Sequence, residues 1–300
     1  MMLTAPSPRY FQIGLGLAMI GTGLFALKSI FIKLAFNEGA DATTLLALRM
    51  LISAPFYLGI LLWSLKQPST LIPVKSDGLK ILALGFMGYY LSSWLDMQGL
   101  TYITAQLERL TLYTYPIFTT FLSWLVFKES ITKRVWLALI LTYTGVLALY
   151  SHEAKIGGDQ VTWGVFLVVG AALSYSCYVL LAKPYIAKYG SRLFTSIAML
   201  SSTLFVLIHF LTTHPISDLG VTPKAWFYAV LLAIVSTLLP TYMIAEAIHR
   251  IGAARTSIVG TVGPVFTILI AVWLLGEPFG FYHLLGVGLV MFGVSLLGKK

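Results

Sequence analysis

Five ionisable residues lie within long apolar stretches of this chain of 300 residues: Lys28, Arg49, Asp96, Glu108 and Arg109. A charge in apolar surroundings is costly, so such residues usually face a polar cavity or an opposite charge. Carboxyl groups beside cations can bind and release protons, because the neighbouring charges decide whether the acid is ionised. The cations can instead hold an anionic solute. We therefore treat these five residues as candidates for substrate binding and proton coupling.

The surroundings of these charges follow from the composition. Hydrophobic residues make up 58% of the chain and charged residues only 10%, and the mean hydropathy is +0.87. One soluble core cannot bury that much apolar side chain, so the sequence predicts an integral membrane protein. A helix needs ~20 residues to cross the hydrocarbon. We predict an all-α fold with ten transmembrane helices, near 11–36, 43–65, 79–100, 102–127, 134–150, 161–182, 193–213, 223–247, 253–275 and 280–298.

Lys and Arg residues collect at alternate helix ends in this arrangement, as the positive-inside rule requires. The net charge of +9 is therefore typical of membrane topology, and we expect no nucleic-acid partner. Both termini are predicted to be cytoplasmic, and the outer side carries only Lys155 and Lys224. The inner side carries Arg9, Lys66, Lys75, Lys80, Lys128, Lys133, Arg134, Lys183, Lys188, Arg192, Arg250, Arg255, Lys299 and Lys300.

The candidate charges occupy similar depths. At ~1.5 Å of rise per residue, Lys28 lies roughly 12 Å below the outer helix end, Arg49 and Glu108 roughly 9 Å, and Asp96 roughly 6 Å. The sequence therefore predicts one polar site in the outer half of the membrane. Glu108 and Arg109 are adjacent, so they point in different directions and cannot simply pair with each other.

A structural alternative stays open for these charges. Lys28, Arg49 and Arg109 could extend toward the membrane surface or form structural ion pairs with Asp96 and Glu108. For Glu108 we leave the two interpretations equally open, whereas for Arg49 and Asp96 the structural one is favoured.

Aromatic residues supply a second set of candidates, because rings away from helix ends can stack on a solute and their hydroxyl groups can bind it. Some of them must serve packing instead. The candidates are Tyr89, Tyr90, Trp94, Tyr113, Tyr115, Tyr175, Tyr178 and Tyr242.

The chain also contains an internal repeat with a constant offset of 148 residues. Each copy has five predicted spans, near 10–150 and 161–298. An odd number of spans inverts the second copy relative to the first, and such inverted repeats are common in transporters. The offset pairs Pro116 with Pro264, Ile103 with Ile251, Ala105 with Ala253, Phe118 with Phe266, Thr119 with Thr267, Glu129 with Glu277, and Gly145 with Gly293.

Two repeated residue types have physical interpretations. Pro116 and Pro264 lie within predicted spans, where each proline frees the carbonyl four residues earlier and predicts a helix kink beside the solute pathway. A packing kink is the alternative. For Glu129 and Glu277 we favour capping at the start of the next helix over a paired proton site, since inversion places them at opposite membrane surfaces.

The copy from residue 102 to 149, YITAQLERLTLYTYPIFTTFLSWLVFKESITKRVWLALILTYTGVLAL, carries this proline, glutamate and glycine pattern. A weaker copy runs from 250 to 297. Both resemble the EamA-type domains of the drug/metabolite transporter superfamily. The resemblance implies two five-helix halves around a central cavity, cytoplasmic termini in a bacterial inner or plasma membrane, and movement of small organic solutes.

We therefore expect a secondary transporter, more an exporter than an importer, that uses alternating access to move an amino acid, metabolite or drug-like compound. Protons are the expected coupling ion, and no cofactor or metal is predicted. Clustered histidines or paired aspartates, which a membrane enzyme would need for a metal, are not present. A channel-like permease or a lipid flippase without proton coupling is the alternative.

Overall fold

The computed structural model describes residues 8–67, 75–128, 133–251, 256, 259–260 and 262–297. These residues form helices and connecting segments without a β-strand, so the all-α prediction is confirmed. We number the helices α1 (Pro8–Ala26), α2 (Lys28–Asn37), α3 (Ala42–Leu65), α4 (Lys75–Gly85), α5 (Ser92–Leu100), α6 (Ala105–Leu112), α7 (Tyr115–Phe127), α8 (Lys133–Tyr189), α9 (Ser191–Thr213), α10 (Pro223–Ala233), α11 (Leu239–Ile251), α12 (Gly263–Ile270) and α13 (Phe281–Leu297).

Five helical stretches of the described chain are long and apolar enough to cross a membrane. Shorter apolar helices cover Gly263–Leu275 and Phe281–Leu296, and the protein is a multi-pass membrane protein. The count of ten spans stays a prediction, because the ninth predicted span includes residues outside the described part. Arg255, Lys299 and Lys300 also lie outside it. The five long stretches are Arg9–Asn37, Ala42–Leu65, Lys133–Tyr189, Ser191–Thr213 and Pro223–Ile248.

The predicted spans near 134–150 and 161–182 leave a connection at 151–160, and in the structure α8 is helical on both sides of Gly158 within it. Gly158 alone departs from helical geometry, with φ 61° and ψ −143°. The Tyr150 hydroxyl lies 2.9 Å from the Thr162 hydroxyl, twelve residues later in the chain. Residues that far apart on a straight helix would be separated by roughly 18 Å. The chain therefore turns back at Gly158, and α8 consists of two arms.

Several predicted spans are interrupted. The first is broken at Leu27, between α1 and α2, and the fourth at Tyr113 and Thr114, between α6 and α7. Pro116 follows this second break, in the first turn of α7, where its missing N–H has no helical partner to lose. Pro264 has the same position in α12. Each proline therefore belongs to the start of a new helix and does not bend a continuous one.

The sequence offset of 148 also relates matching structural elements. α7 and α12 begin at Tyr115 and Gly263. The wide helical turns that interrupt α4–α5 and α10–α11 begin at Phe86 and Ile234. Lys128 (φ 55°) follows α7, and Gly276 (φ 65°) follows the wide turn after α12. Both residues have a left-handed backbone conformation.

The first arm of α8 crosses α13 at small residues. A Cβ on Gly145 would lie 2.8 Å from the Gly286 carbonyl oxygen, and a Cβ on Gly293 would lie 2.9 Å from that of Ala138. Adding 148 to Ala138 and Gly145 gives Gly286 and Gly293, so each contact is the copy of the other with the two helices exchanged. Such reciprocity indicates a pseudo-twofold axis between these helices.

This crossing predicts that Gly293→Ala destabilises the protein, because the added methyl group would overlap backbone atoms of Ala138 and Thr142. Overpacking of this kind costs about 1–3 kcal/mol. Gly288→Ala on the same helix is the control, since a Cβ at Gly288 meets nothing within 4 Å. We expect the melting temperature in detergent to fall for Gly293→Ala only. Equal melting temperatures for both variants would contradict the close crossing.

Candidate functional site

The break at Leu27 places two consecutive side chains against two acidic residues. Lys28 Nζ lies 2.5 Å from Asp96 Oδ2, and the Ser29 hydroxyl donates a hydrogen bond of 2.5 Å to Glu108 Oε2. All four side chains belong to residues that are buried, and Glu108 has no exposed surface. The start of α2 therefore holds carboxyl groups from α5 and α6 at one point inside the protein.

The two carboxyl groups also lie near enough to each other to interact electrostatically. Asp96 Oδ1 and Glu108 Oε1 are buried and have no hydrogen-bond partner in the described chain. Ionised carboxylates only accept hydrogen bonds, so a hydrogen bond between two acids requires one proton on the pair. A pair of neighbouring acids can therefore hold a single proton.

Arg109 forms no ion pair among the described residues. Its Nη2 donates a 3.0 Å hydrogen bond to the Phe25 carbonyl, and its guanidinium lies over the rings of Phe25 and Tyr113. The Thr267 hydroxyl, from the second half, donates to the Ala26 carbonyl at 3.0 Å. The last turn of a helix has carbonyl groups without intrahelical partners. Arg109 and Thr267 bind two of these groups at the end of α1, so Arg109 supports the helix break.

Arg49 is also buried without an ion pair in the described part of the chain. It is 4% exposed, and its Nη2 donates a 3.0 Å hydrogen bond to the Ser93 hydroxyl. Its Nε has no partner. Among the described residues Arg49 pairs with neither Asp96 nor Glu108, because Lys28 and Ser29 bind those acids.

The Gly260 carbonyl, just before α12, is bound from the first half. The Tyr113 hydroxyl donates a 2.8 Å hydrogen bond to it. A Cβ on Gly263 would lie 2.3 Å from the Tyr113 hydroxyl oxygen, so only glycine at this position leaves room for the contact. Tyr113 therefore joins the broken helices of the two halves.

Glu277 caps a helix, though not the next one as predicted. Its carboxylate accepts hydrogen bonds from the backbone N–H groups of Ala105 (2.7 Å) and Gln106 (3.3 Å), at the start of α6 in the other half. Gln106 Nε2 donates to the Pro278 carbonyl at 2.9 Å. Burial raises the pKa of Glu277, while the two backbone hydrogen bonds act against that rise. Its repeat partner Glu129 lies outside the described residues.

We predict that Glu277→Ala lowers the free energy of unfolding by about 1–2 kcal/mol, because two N–H groups at a helix start would lose their acceptor. Glu246→Ala is the control, since Glu246 is half exposed and forms an ion pair with Arg250 on the same helix. Exposed pairs of that kind contribute little. Chemical unfolding in mixed micelles measures both variants, and equal losses would show that Glu277 is not a cap.

A comparison of the sequence with known protein families shows which family the chain belongs to. The model of the EamA-like transporter family matches residues 12–151 and 162–299. The chain is a member of the EamA-like transporter family. Two matches of one family model within one chain agree with the internal repeat.

Relatives of this EamA-like transporter cover most of its length. The uncharacterized transporter YcbK of Bacillus subtilis (strain 168) is 28% identical over 290 residues, which are 92% of this chain and 90% of that protein. The uncharacterized transporter YetK of the same organism is 27% identical over 234 residues, 75% of this chain and 70% of that one. A solved crystal structure superposes with a TM-score of 0.64 at 16% identity, over 95% of this chain and 96% of that chain. That structural likeness shows the shared fold.

The aromatic candidates of this EamA-like transporter form two groups. In the first, the Tyr178 hydroxyl donates to the Tyr89 hydroxyl at 2.9 Å, and Tyr115 packs edge-on against Tyr175. A Cβ on Gly88 would lie 2.2 Å from the Tyr178 ring, so glycine permits this close packing.

The second group surrounds His209 of α9. The Tyr90 hydroxyl lies 3.1 Å from His209 Nδ1, and Trp94 packs edge-on against the same imidazole. Trp94 Nε1 also donates to the Thr43 hydroxyl at 3.3 Å. Tyr242 belongs to neither group and lines an apolar groove beside α3.

Sequence reasoning missed Ser29, His209 and Glu153. Ser29 is an ordinary small residue in the sequence, and only the break at Leu27 turns it toward Glu108. Glu153 is 8% exposed and accepts a 2.6 Å hydrogen bond from the Thr104 hydroxyl. No short motif in the sequence marks any of the three.

Proposed function

We propose that this EamA-like transporter is a ten-helix secondary transporter that exports a small organic solute by alternating access, with protons as the coupling ion. The observation that carries this proposal is the buried group of Lys28, Ser29, Asp96 and Glu108 at a helix break. Buried charges inside membrane proteins usually mark solute or proton pathways. Discontinuous helices commonly form the binding sites of transporters with inverted repeats.

The contacts between the two halves support the alternating-access part of the proposal. Glu277 binds the start of α6, and Tyr113 binds the Gly260 carbonyl. These contacts consist of a few hydrogen bonds, which can break and re-form as the halves rock. In the predicted topology Glu277 and the start of α6 lie at the outer surface, so these contacts close the outer side.

The pair of Asp96 and Glu108 supports proton coupling. Two ionised carboxylates close together repel each other strongly in surroundings of low dielectric constant. The pair therefore favours one shared proton while the site is closed. Opening the site to water weakens this repulsion, so the proton can leave. A solute that competes for Lys28 would complete the exchange.

A panel of small solutes tests the proposed function. The purified protein is reconstituted in liposomes, and uptake is measured with and without a pH gradient. We expect at least one solute to show saturable flux that a pH gradient drives uphill. Flux through a conducting pore would be fast and would not saturate with solute concentration. A flippase would move a labelled lipid instead. Either of these results would contradict the proposal.

The proposed topology gives a separate prediction. Single cysteines at Lys133 and Arg192 should react only with reagents on the cytoplasmic side, and one at Lys155 only with reagents outside. The native Cys177 is half-buried and is replaced first, so that the background carries no thiol. Labelling of intact and lysed cells measures the accessibility. If positions 133 and 155 react from the same side, the inverted arrangement is wrong.

A further inference from the structure

An apolar groove opens on the side of the helix bundle, between α3 and the start of α11. It has a volume of 510 Å³. Phe56, Trp63 and Leu239 of its lining are exposed, so the groove faces the surroundings of the bundle. For a membrane protein those surroundings are lipid. The whole lining, which is almost wholly apolar, comprises Pro55, Phe56, Gly59, Ile60, Trp63, Leu238, Leu239 and Tyr242.

The groove follows α3 toward the end of that helix. Pro55, Gly59 and Trp63 are spaced four residues apart, so they lie along one side of the helix. Pro55 and Trp63 are separated by roughly 12 Å along the axis. α3 ends at Leu65, and the predicted topology places this end at the cytoplasmic surface. The groove therefore lies in the inner half of the membrane.

Arg192 stands at the cytoplasmic end of the groove. Its guanidinium lies over the Trp63 ring, with 5.4 Å between Cζ and the ring centroid. The attraction between a cation and a ring face holds this charge beside the apolar lining. Arg192 itself is exposed, in the first turn of α9. Lys66, the residue after α3, is a second exposed cation at this surface.

The Arg192 charge is free to bind an anion from outside the chain. In the part of the chain that the structure describes, no acid forms an ion pair with it. Asp77, the acid in the first turn of α4, is bound instead by Lys188 Nζ at 2.8 Å and by the Tyr189 hydroxyl at 2.6 Å. A guanidinium offers five N–H donors in a planar fork that fits a phosphate group.

We propose that the groove binds an anionic phospholipid of the inner leaflet, with an acyl chain beside Gly59 and Tyr242 and the phosphate group at Arg192. A soluble anion would use the cation but leave the apolar lining without a partner. A zwitterionic lipid would fill the groove, but its own positive group opposes the attraction to Arg192. An anionic lipid matches both features. This inference goes beyond the proposed transport function, since α3 and α11 belong to different halves and the lipid would lie between them.

Native mass spectrometry of the purified protein tests the site without requiring transport. The probes are dioleoylphosphatidylglycerol and dioleoylphosphatidylcholine, which have the same acyl chains and differ in the net charge of the headgroup. Each lipid is titrated into protein in detergent, and the dissociation constant of the first bound lipid is measured. We expect phosphatidylglycerol to bind at least about fivefold more tightly, the factor that one basic residue near a membrane surface supplies.

Three variants and one control locate the binding. Arg192→Gln should remove most of the preference for phosphatidylglycerol. Lys183→Gln should keep it, because Lys183 is an exposed cation predicted on the same membrane surface but lies on α8, which does not line the groove. Gly59→Leu should weaken binding of both lipids by filling the groove, and a Cβ at Gly59 meets nothing within 4 Å. Gly288→Leu is the control, since Gly288 is exposed on α13 with the same free space.

Unchanged melting temperatures and elution profiles show that each variant is folded. Equal affinities for the two lipids, or a preference that survives in Arg192→Gln, overturns the headgroup assignment. Unchanged lipid binding to Gly59→Leu overturns the assignment of the groove. A dimer in the same spectra that Gly59→Leu dissociates would assign the groove to a second copy of the chain and contradict the proposal. A preference lost in Arg192→Gln and kept in Lys183→Gln supports the lipid site, even if no solute is moved in liposomes.

Discussion

Glu108→Gln is expected to abolish uphill transport while the protein still inserts and folds. Glutamine keeps the shape of the side chain and can still accept the hydrogen bond from Ser29, but it cannot release a proton. Solute accumulation driven by a pH gradient should therefore fall to the equilibrium level, a complete loss of concentrative uptake. Exchange of labelled for unlabelled solute should survive, because it needs no net proton movement. Both are measured in liposomes with a solute found in the panel.

The control for this prediction is Glu246→Gln, which changes a half-exposed carboxylate that forms an ion pair with Arg250 on the same helix. It should accumulate solute as the wild type does. Asp96→Asn provides a second measurement at the same site, since it removes the other member of the carboxyl pair. If Glu108→Gln keeps full pH-driven accumulation, Glu108 is a structural partner of Ser29 and the coupling assignment is wrong.

Lys28→Met is expected to give the largest loss of stability, because it leaves the buried Asp96 carboxylate without its cation. Removing one member of a buried ion pair costs about 3–5 kcal/mol. The Lys28–Asp96 pair meets this description, with side chains that are 11% and 2% exposed. Chemical unfolding in mixed micelles should report the loss.

Two further variants test why Lys28→Met destabilises the protein. Lys28→Met combined with Asp96→Leu replaces the pair by apolar groups and should recover most of the lost stability, since such replacements are often neutral. Lys188→Met removes the exposed partner of Asp77 and should cost less than about 1 kcal/mol. If the double variant is no more stable than Lys28→Met, loss of packing and not the uncompensated carboxylate explains the effect.

Much of the fold followed from the sequence, because lipid requires long apolar helices and excludes most alternatives. The offset of 148 residues, first visible in Pro116 and Pro264, also relates the starts of α7 and α12. The connection predicted at 151–160 is shorter in the structure. A single glycine with positive φ is enough to reverse the chain, so helix continues on both sides of Gly158.

The site was predicted only in part. Sequence position placed Lys28, Asp96 and Glu108 at similar depths, and these residues do come together. Sequence position did not show which residues pair with each other. The pairs depend on the break at Leu27 and on the directions of side chains on different helices. A structural role was favoured for Arg49, and no acid pairs with it in the described chain.

Proton movement during solute flux tests the central claim most directly. Wild-type protein is reconstituted in liposomes that contain a pH-sensitive dye, the membrane potential is held at zero, and a transported solute is added on one side. We expect a pH change inside that depends on the solute, saturates with it and indicates protons moving opposite to the solute. Saturable solute flux without any proton movement would contradict the coupled-transport account.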